Sequence, residues 1–207
     1  MSIRPFATLA ALLLPLGAAS LAQMPTVAPG APIASRVVAG TYDIEPSHSQ
    51  VLFSVNHLGF SLYSGQFTNP TGTLTIDPKQ PGSAKVDVSF PIKDVRTTVA
   101  ALDAHLQKPE FFDADKFPVG RFVSTRVVAT GTTAMIDGNL TLKGVTRPVT
   151  LKARFVGAGP AVMGPPKLNF GFAATTMVKR SDFGISAGVP LVSDNVELTI
   201  NAAFVGK

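Results

Sequence analysis

Between Tyr42 and Val205 apolar and polar residues alternate at a period of two, interrupted chiefly by one amphipathic insert from Val99 to Phe117. A chain patterned this way must be built of strands wetted on one face only, and such strands belong to antiparallel sheets. Ala134, Ile136, Gly138, Leu140 and Leu142 alternate with Met135, Asp137, Asn139 and Thr141. Val149, Leu151, Ala153 and Phe155 repeat the pattern, as do Val196, Leu198, Ile200, Ala202 and Phe204, and Leu168, Phe170, Phe172 and Ala174 add a further apolar row.

The 207 residues suffice for one domain with a substantial core. Arg4 precedes an uncharged run from Phe6 to Ala19 and then Ser20-Leu21-Ala22, which predicts a signal peptide over 1–22 with cleavage after Ala22. The run falls short of the roughly 20 residues a bilayer requires, and Pro15 and Gly17 interrupt it, so it is not read as a membrane span. Its removal takes away Arg4 and no acid, lowering the net charge from +5 to +4. That charge is scattered, with no run of four basic residues, and offers nucleic acid no stripe. The absence of cysteine excludes disulfides, thiolate metal sites, a catalytic thiol and the lipidated cysteine of a lipoprotein, so no membrane anchor is expected in the processed chain.

Residues 23–40 hold Pro25, Pro29 and Pro32 with no strand or helix period, a flexible or extended leader; the domain is expected over 41–207. Short strands are predicted over 41–45, 50–57, 60–67 and 71–76, then through Val86, Val88 and Phe90 after the turn Gln80-Pro81-Gly82-Ser83. Val99, Leu102 and Leu106 share a helical face, so a helix is expected up to about Lys108, stopped by Pro109. Strands resume at Gly120, giving eight or nine in all. The fold class expected is all-β: an antiparallel barrel of about eight strands with a short helical insert, closed on itself to remove its edges. At that size the interior is either filled by side chains or just wide enough for one slender ligand.

The segment Leu102 to Pro118, LDAHLQKPEFFDADKFP, resembles the "HL…FFD…P" stretch of the YceI-like family of bacterial secreted proteins. His48-Ser49 with Phe53, His57, Gly65 and Phe67, then Gly138 to Leu151, then Ser181-Asp182-Phe183-Gly184-Ile185 agree with that family in order, so the likeness spans Thr41 to Val205. The resemblance implies a lipocalin-like barrel in the periplasm that encloses a long isoprenoid or other aliphatic lipid. Many relatives carry Arg where Leu102 stands, so a guanidinium that would meet an anionic headgroup is missing there.

The residues themselves offer an apolar wall of Phe53, Val55, Val88, Phe90, Ile136, Leu140, Leu151, Phe155, Phe170, Phe172, Leu198 and Ile200, with almost nothing polar to orient a soluble metabolite. Two readings stay open at this point: a ligand-lined barrel carrying an apolar chain, or a filled barrel in a stress-protection or interaction protein. Leu102, Leu106, Phe111 and Phe112 are more than a crossover requires and could close one barrel end as a lid or a fixed plug, with His57 at the mouth. His48, His57 and His105 fall on separate segments, so neither a metal nor another cofactor is expected. No Gly-x-Ser-x-Gly elbow is present, and Glu110, Asp113 and Asp115 read as a solvated face, so catalysis is not expected. Whether two barrels pair as a homodimer is left open.

Overall fold

The computed structural model describes residues 26–163 and 165–206; the expected signal peptide over 1–22 and the start of the leader lie outside the described residues. The strands are β1 (Gly40–Ile44), β2 (Gln50–His57), β3 (Ser61–Phe67), β4 (Thr71–Ile76), β5 (Lys85–Pro91), β6 (Val95–Arg96), β7 (Val119–Thr130), β8 (Thr133–Leu142), β9 (Val145–Pro160), β10 (Leu168–Lys179) and β11 (Asn195–Gly206), with one helix, α1 (Ala100–Leu106), between β6 and β7. They form a closed antiparallel barrel of eight strand positions, because β1 with β2, β3 with β4, and β5 with β6 each share one position interrupted by a short break.

Closure runs through β11, which pairs with β2 over Glu197–Asn201 and with β1 over Phe204–Gly206. Between those two stretches the chain of the first strand leaves the ladder in a 3-10 turn at Pro46–His48, and a side chain replaces the missing backbone partners. The buried Ser49 hydroxyl accepts from the Ala203 N–H at 2.9 Å, while the Glu45 N–H donates to the Ala203 carbonyl at 2.8 Å. The Glu45 carboxylate caps the turn by accepting from the backbone N–H groups of Ser47 and His48.

One end of the barrel is solid. The insert folds inward there, and Phe67, Phe90, Ile92, Val95, Ala114, Phe183 and Ile185 form one buried cluster against which Leu106, Phe111 and Phe112 pack. The Phe112 ring stands edge-on to Phe67 at 5.4 Å, and Phe67 in turn meets Phe90 at 5.1 Å. Asp103 fixes the start of α1 by accepting from the Thr97 N–H and hydroxyl. The helix ends at Leu106, two residues before the expected stop, because the residue preceding Pro109 is pushed out of the helical region. The carbonyls thus released accept from the N–H groups of Phe112 and Ala114 in the following turns.

Basic side chains tie this end together. Lys143 donates to the carbonyls of Pro109 and Gly184, and Arg147 to that of Asp182. Arg180, buried at the start of the β10–β11 connection, distributes its guanidinium over the carbonyls of Ser193, Ile185, Ala187 and Val192 at 2.7–3.1 Å. Hydrogen bonds from a charged donor contribute about 1.5–3 kcal/mol each before compensation, and a buried carbonyl left unpaired costs on the order of 1–3 kcal/mol. Arg180→Met is therefore expected to lower stability by about 3 kcal/mol in urea unfolding, with Arg180→Lys intermediate because an ammonium cannot span four divergent acceptors.

Asp194 closes the same connection by accepting from the Ser181 N–H and hydroxyl, and these bonds hold its carboxyl below the ordinary aspartate value. A carboxyl depressed by folding stabilises the native state above its unfolded pKa and loses that contribution as pH falls through the folded value. Unfolding midpoints measured from neutral to acid pH should fall less steeply for Asp194→Asn than for the natural chain.

Candidate binding cavity

The inward rows of the strands enclose a cavity of about 300 Å³, at the lower edge of the range for small-molecule sites. Nine of the twelve residues expected in the wall line it: Val88, Phe90, Ile136, Leu140, Leu151, Phe155, Phe172, Leu198 and Ile200. Phe53, Val55 and Phe170 do not. Phe53 lies over Gly65 of the neighbouring strand and packs against Phe67 at 5.8 Å. Phe170 is consumed by an edge-on contact with Tyr42 at 4.6 Å and a stack on Phe204 at 5.9 Å. Val55 stands near the solid end, opposite Tyr63.

Two features keep the lumen empty. The first is a belt of alanine: Ala129, Ala134, Ala153 and Ala174 are paired in sequence across β7, β8, β9 and β10, all four line the cavity, and each contributes only a methyl group at that level. The second is a set of glycines that let phenyl rings lie along the wall rather than across it. A Cβ on Gly120 would fall 2.4 Å from the Phe90 ring, and one on Gly138 would fall 2.3 Å from the Phe122 ring. Inward side chains such as Val86, Val88, Leu151, Leu198 and Ile200 consequently remain only half-buried, although they point to the middle of the domain.

The lining reaches solvent at Ala34, Pro78, Pro81, Gly131, Thr132 and Thr133, all exposed and all at the end opposite α1. This open end lies between the β4–β5 turn, the β7–β8 turn and the described part of the leader. The leader is anchored there: Ala31 pairs with Ala158, Arg36 donates to the carbonyls of Pro29 and Ala158, and the Val37 side chain is buried against the lower core.

None of the five residues expected at a lid or mouth lines the cavity. Leu106, Phe111 and Phe112 belong to the solid end, Leu102 is half-buried on α1, and His57 is exposed at the end of β2, bridged to Val192. The three histidines stand apart: His48 bonds Glu45, and His105 bonds Glu110 at 3.0 Å beneath the edge of Phe111. Sequence reasoning missed the alanine belt, which was legible as three of its members within apolar rows but was not weighed by volume. Ala129 was hidden, because a bulge between Ser124 and Arg126 shifts β7 by one residue and moves its inward set from Gly120 and Phe122 to Val127 and Ala129.

In a filled barrel a bulky replacement forces strain costing about 1–3 kcal/mol, whereas in an empty one it gains burial at about 0.8 kcal/mol per methylene. Ala153→Phe should accordingly leave thermal stability unchanged or raised while abolishing retention of any apolar guest. A clear loss of stability would show that the space is not available.

A family model described as the YceI-like domain matches residues 42–204. A UPF0312 protein of Pseudomonas aeruginosa is 39% identical over 170 residues, which cover 81% of this chain and 88% of that one. Protein YceI of Salmonella arizonae is 41% identical over the same length and coverage. Among solved structures, BcnA of Burkholderia cenocepacia superposes with a TM-score of 0.67 at 20% identity, covering 78% of this chain and 99% of that one. The YCEI protein of Campylobacter jejuni gives 0.64 at 29% identity, covering 73% and 89%. A polyisoprenoid binding domain from Saccharophagus degradans gives 0.60 at 12% identity, covering 80% and 98%.

Proposed function

The chain belongs to the YceI-like family, and from that membership together with its hollow barrel we propose that it is a noncatalytic periplasmic carrier that sequesters one long aliphatic molecule, an isoprenoid or a fatty-acyl chain, by burial. The observation that carries this reading is the lining: the 300 Å³ space is walled mainly by aliphatic and phenyl side chains, with Thr132 and Thr133 at the open end and Ser49, Gln50, Thr176 and Asn201 as its other polar members. Such a wall has no means to orient a sugar, nucleotide or amino acid, but it suits a chain whose only demand is to leave water. The polyisoprenoid binding domain that shares the fold supports the same class of guest.

At about 15 Å³ for each water-sized group, the cavity admits on the order of twenty such groups, a single chain of about fifteen to twenty carbons. Some fifteen buried methylenes at about 0.8 kcal/mol each supply on the order of 12 kcal/mol. Ordering and association costs take back several kcal/mol, which leaves micromolar or tighter binding without a polar contact. A much longer isoprenoid would leave its remaining units outside the opening. No Asp, Glu, His, Lys or Cys lines the wall to activate its Ser49, Thr132, Thr133 and Thr176 hydroxyls, which supports the noncatalytic reading, and export by the peptide over 1–22 would place the carrier between the two membranes.

Organic extraction of the purified protein followed by mass spectrometry should recover one long-chain species at near-stoichiometric amounts from the natural chain and none from Ala153→Phe. Intact mass of the same sample should correspond to a chain beginning at Gln23. A natural chain that carries no lipid and takes up no fluorescent fatty acid on titration would refute the carrier.

A further inference from the structure

The two ends of the barrel differ in more than packing. Around the opening, Ile33 and Val38 of the leader and Val162 and Met163 of the β9–β10 loop hold their side chains in solvent, Met163 at 78% exposure and Val38 at 64%. Leader and loop are neighbours, since the Pro29 carbonyl abuts Gly159 and Ala31 pairs with Ala158 just before that loop begins. Lys79, Lys85 and Lys167 stand exposed on the same end, beside Arg36, whose guanidinium already donates to the carbonyls of Pro29 and Ala158. The carboxylates there are Asp43 and Asp77, and Asp77 already accepts from the Lys79 backbone N–H. At the solid end Lys143, Arg147 and Arg180 are spent on backbone carbonyls, and Asp94, Asp103, Glu110, Asp113, Asp115, Asp182 and Asp194 are interspersed with the remaining cations.

We propose that the open end docks on an anionic lipid bilayer, the apolar side chains entering the interface and the three lysines lying against the headgroups, so that an apolar chain passes between membrane and barrel without crossing water. Each half of the arrangement is weak alone. Single exposed apolar residues are ordinary on protein surfaces, and three lysines without apolar contact give only salt-sensitive adhesion. Together they form the two-part device by which proteins rest on a membrane reversibly, with about 1 kcal/mol, or roughly fivefold in affinity, per basic residue near the surface. Their placement around the only part of the lining that reaches solvent among the described residues ties the device to the cavity. The proposal rests on that cavity being a lipid site.

A second apolar cluster provides the internal comparison. Phe60 and Leu62 at the β2–β3 turn are 87% and 73% exposed, Phe60 more than Met163 or any other large apolar side chain of the open end, yet they sit at the solid end. Exposure alone would therefore favour docking through Phe60, whereas the charge and the cavity favour the other end.

The test is co-sedimentation of the processed protein with extruded vesicles of phosphatidylcholine alone and of phosphatidylcholine mixed with phosphatidylglycerol. Binding is expected only to the mixed vesicles and should be lost in high salt. Lys79→Gln with Lys167→Gln should weaken it about 25-fold, Met163→Ser should weaken it further, and Phe60→Ser with Leu62→Ser should leave it unchanged. Binding that is absent, indifferent to phosphatidylglycerol, or abolished by the Phe60 and Leu62 replacements overturns the proposal, as does a dimer in light scattering that Met163→Ser dissociates. Lipid content of the same variants, read by mass spectrometry, is scored apart: an empty barrel that still binds the mixed vesicles overturns the carrier while the docking stands.

Discussion

Everything in this molecule turns on the volume of the side chains that point inward from a closed ring of eight strands. A ring of that size has a lumen that large apolar side chains can fill. Here four adjacent strands contribute alanine at one level, and glycines let Phe90 and Phe122 lie along the wall. Empty apolar volume costs stability, since its lining forgoes the dispersion contacts a partner would supply. The lumen is tolerable because the two ends of the barrel are packed independently, each around its own buried aromatic cluster.

That division explains why the first three strand positions are broken. A barrel that continued all eight strands straight would taper poorly onto a plug at one end. The breaks at Pro46–His48 and Ile92–Asp94 instead turn the chain so that Ile92 and Val95 are fully buried beside the insert, together with Ala114 and Phe183, and Asn69 at the break between β3 and β4 reaches the Asp94 carboxylate at 2.9 Å. Ser49 then repairs the ladder where the first break opens it. Stability is thus concentrated where the ring is irregular, and the regular strands are left free to enclose space.

The class of fold was legible in the sequence because a period of two over many segments has few physical solutions. Nine of twelve wall residues were legible for the same reason. The rest failed for identifiable causes. Phe53 and Phe170 obey the alternation but are consumed by local partners, Gly65 for one and Tyr42 for the other, which no periodicity reports. The β7 bulge reverses which residues face inward halfway along a strand, and the sequence around Thr125 carries no turn residue to announce it. Arg180 gave no signal at all, since its four acceptors are backbone carbonyls of a connection whose path could not be inferred. The insert was read as a lid or plug for one end; its Leu106, Phe111 and Phe112 pack against the cluster at the solid end and none lines the cavity, and which end opened depended on where small and exposed residues fell in three dimensions.

The placement of the insert also changes what Leu102 means. The arginine that the family resemblance leads one to expect at that place could be taken as a headgroup ligand, and a leucine there as evidence against a charged guest. Leu102 lies on α1 at the solid end, outside the cavity lining, while the lining meets solvent at Pro78, Pro81 and Thr133 on the far side of the barrel. A chain that enters tail first leaves its headgroup at the opening, because transferring an ionised group into an apolar lumen without a partner costs far more than the tail gains. The headgroup would then be met by the cations around the opening and not by anything on α1. Leu102 therefore bears on how the plug packs, and under the proposed carrier reading it says nothing about the charge of a guest.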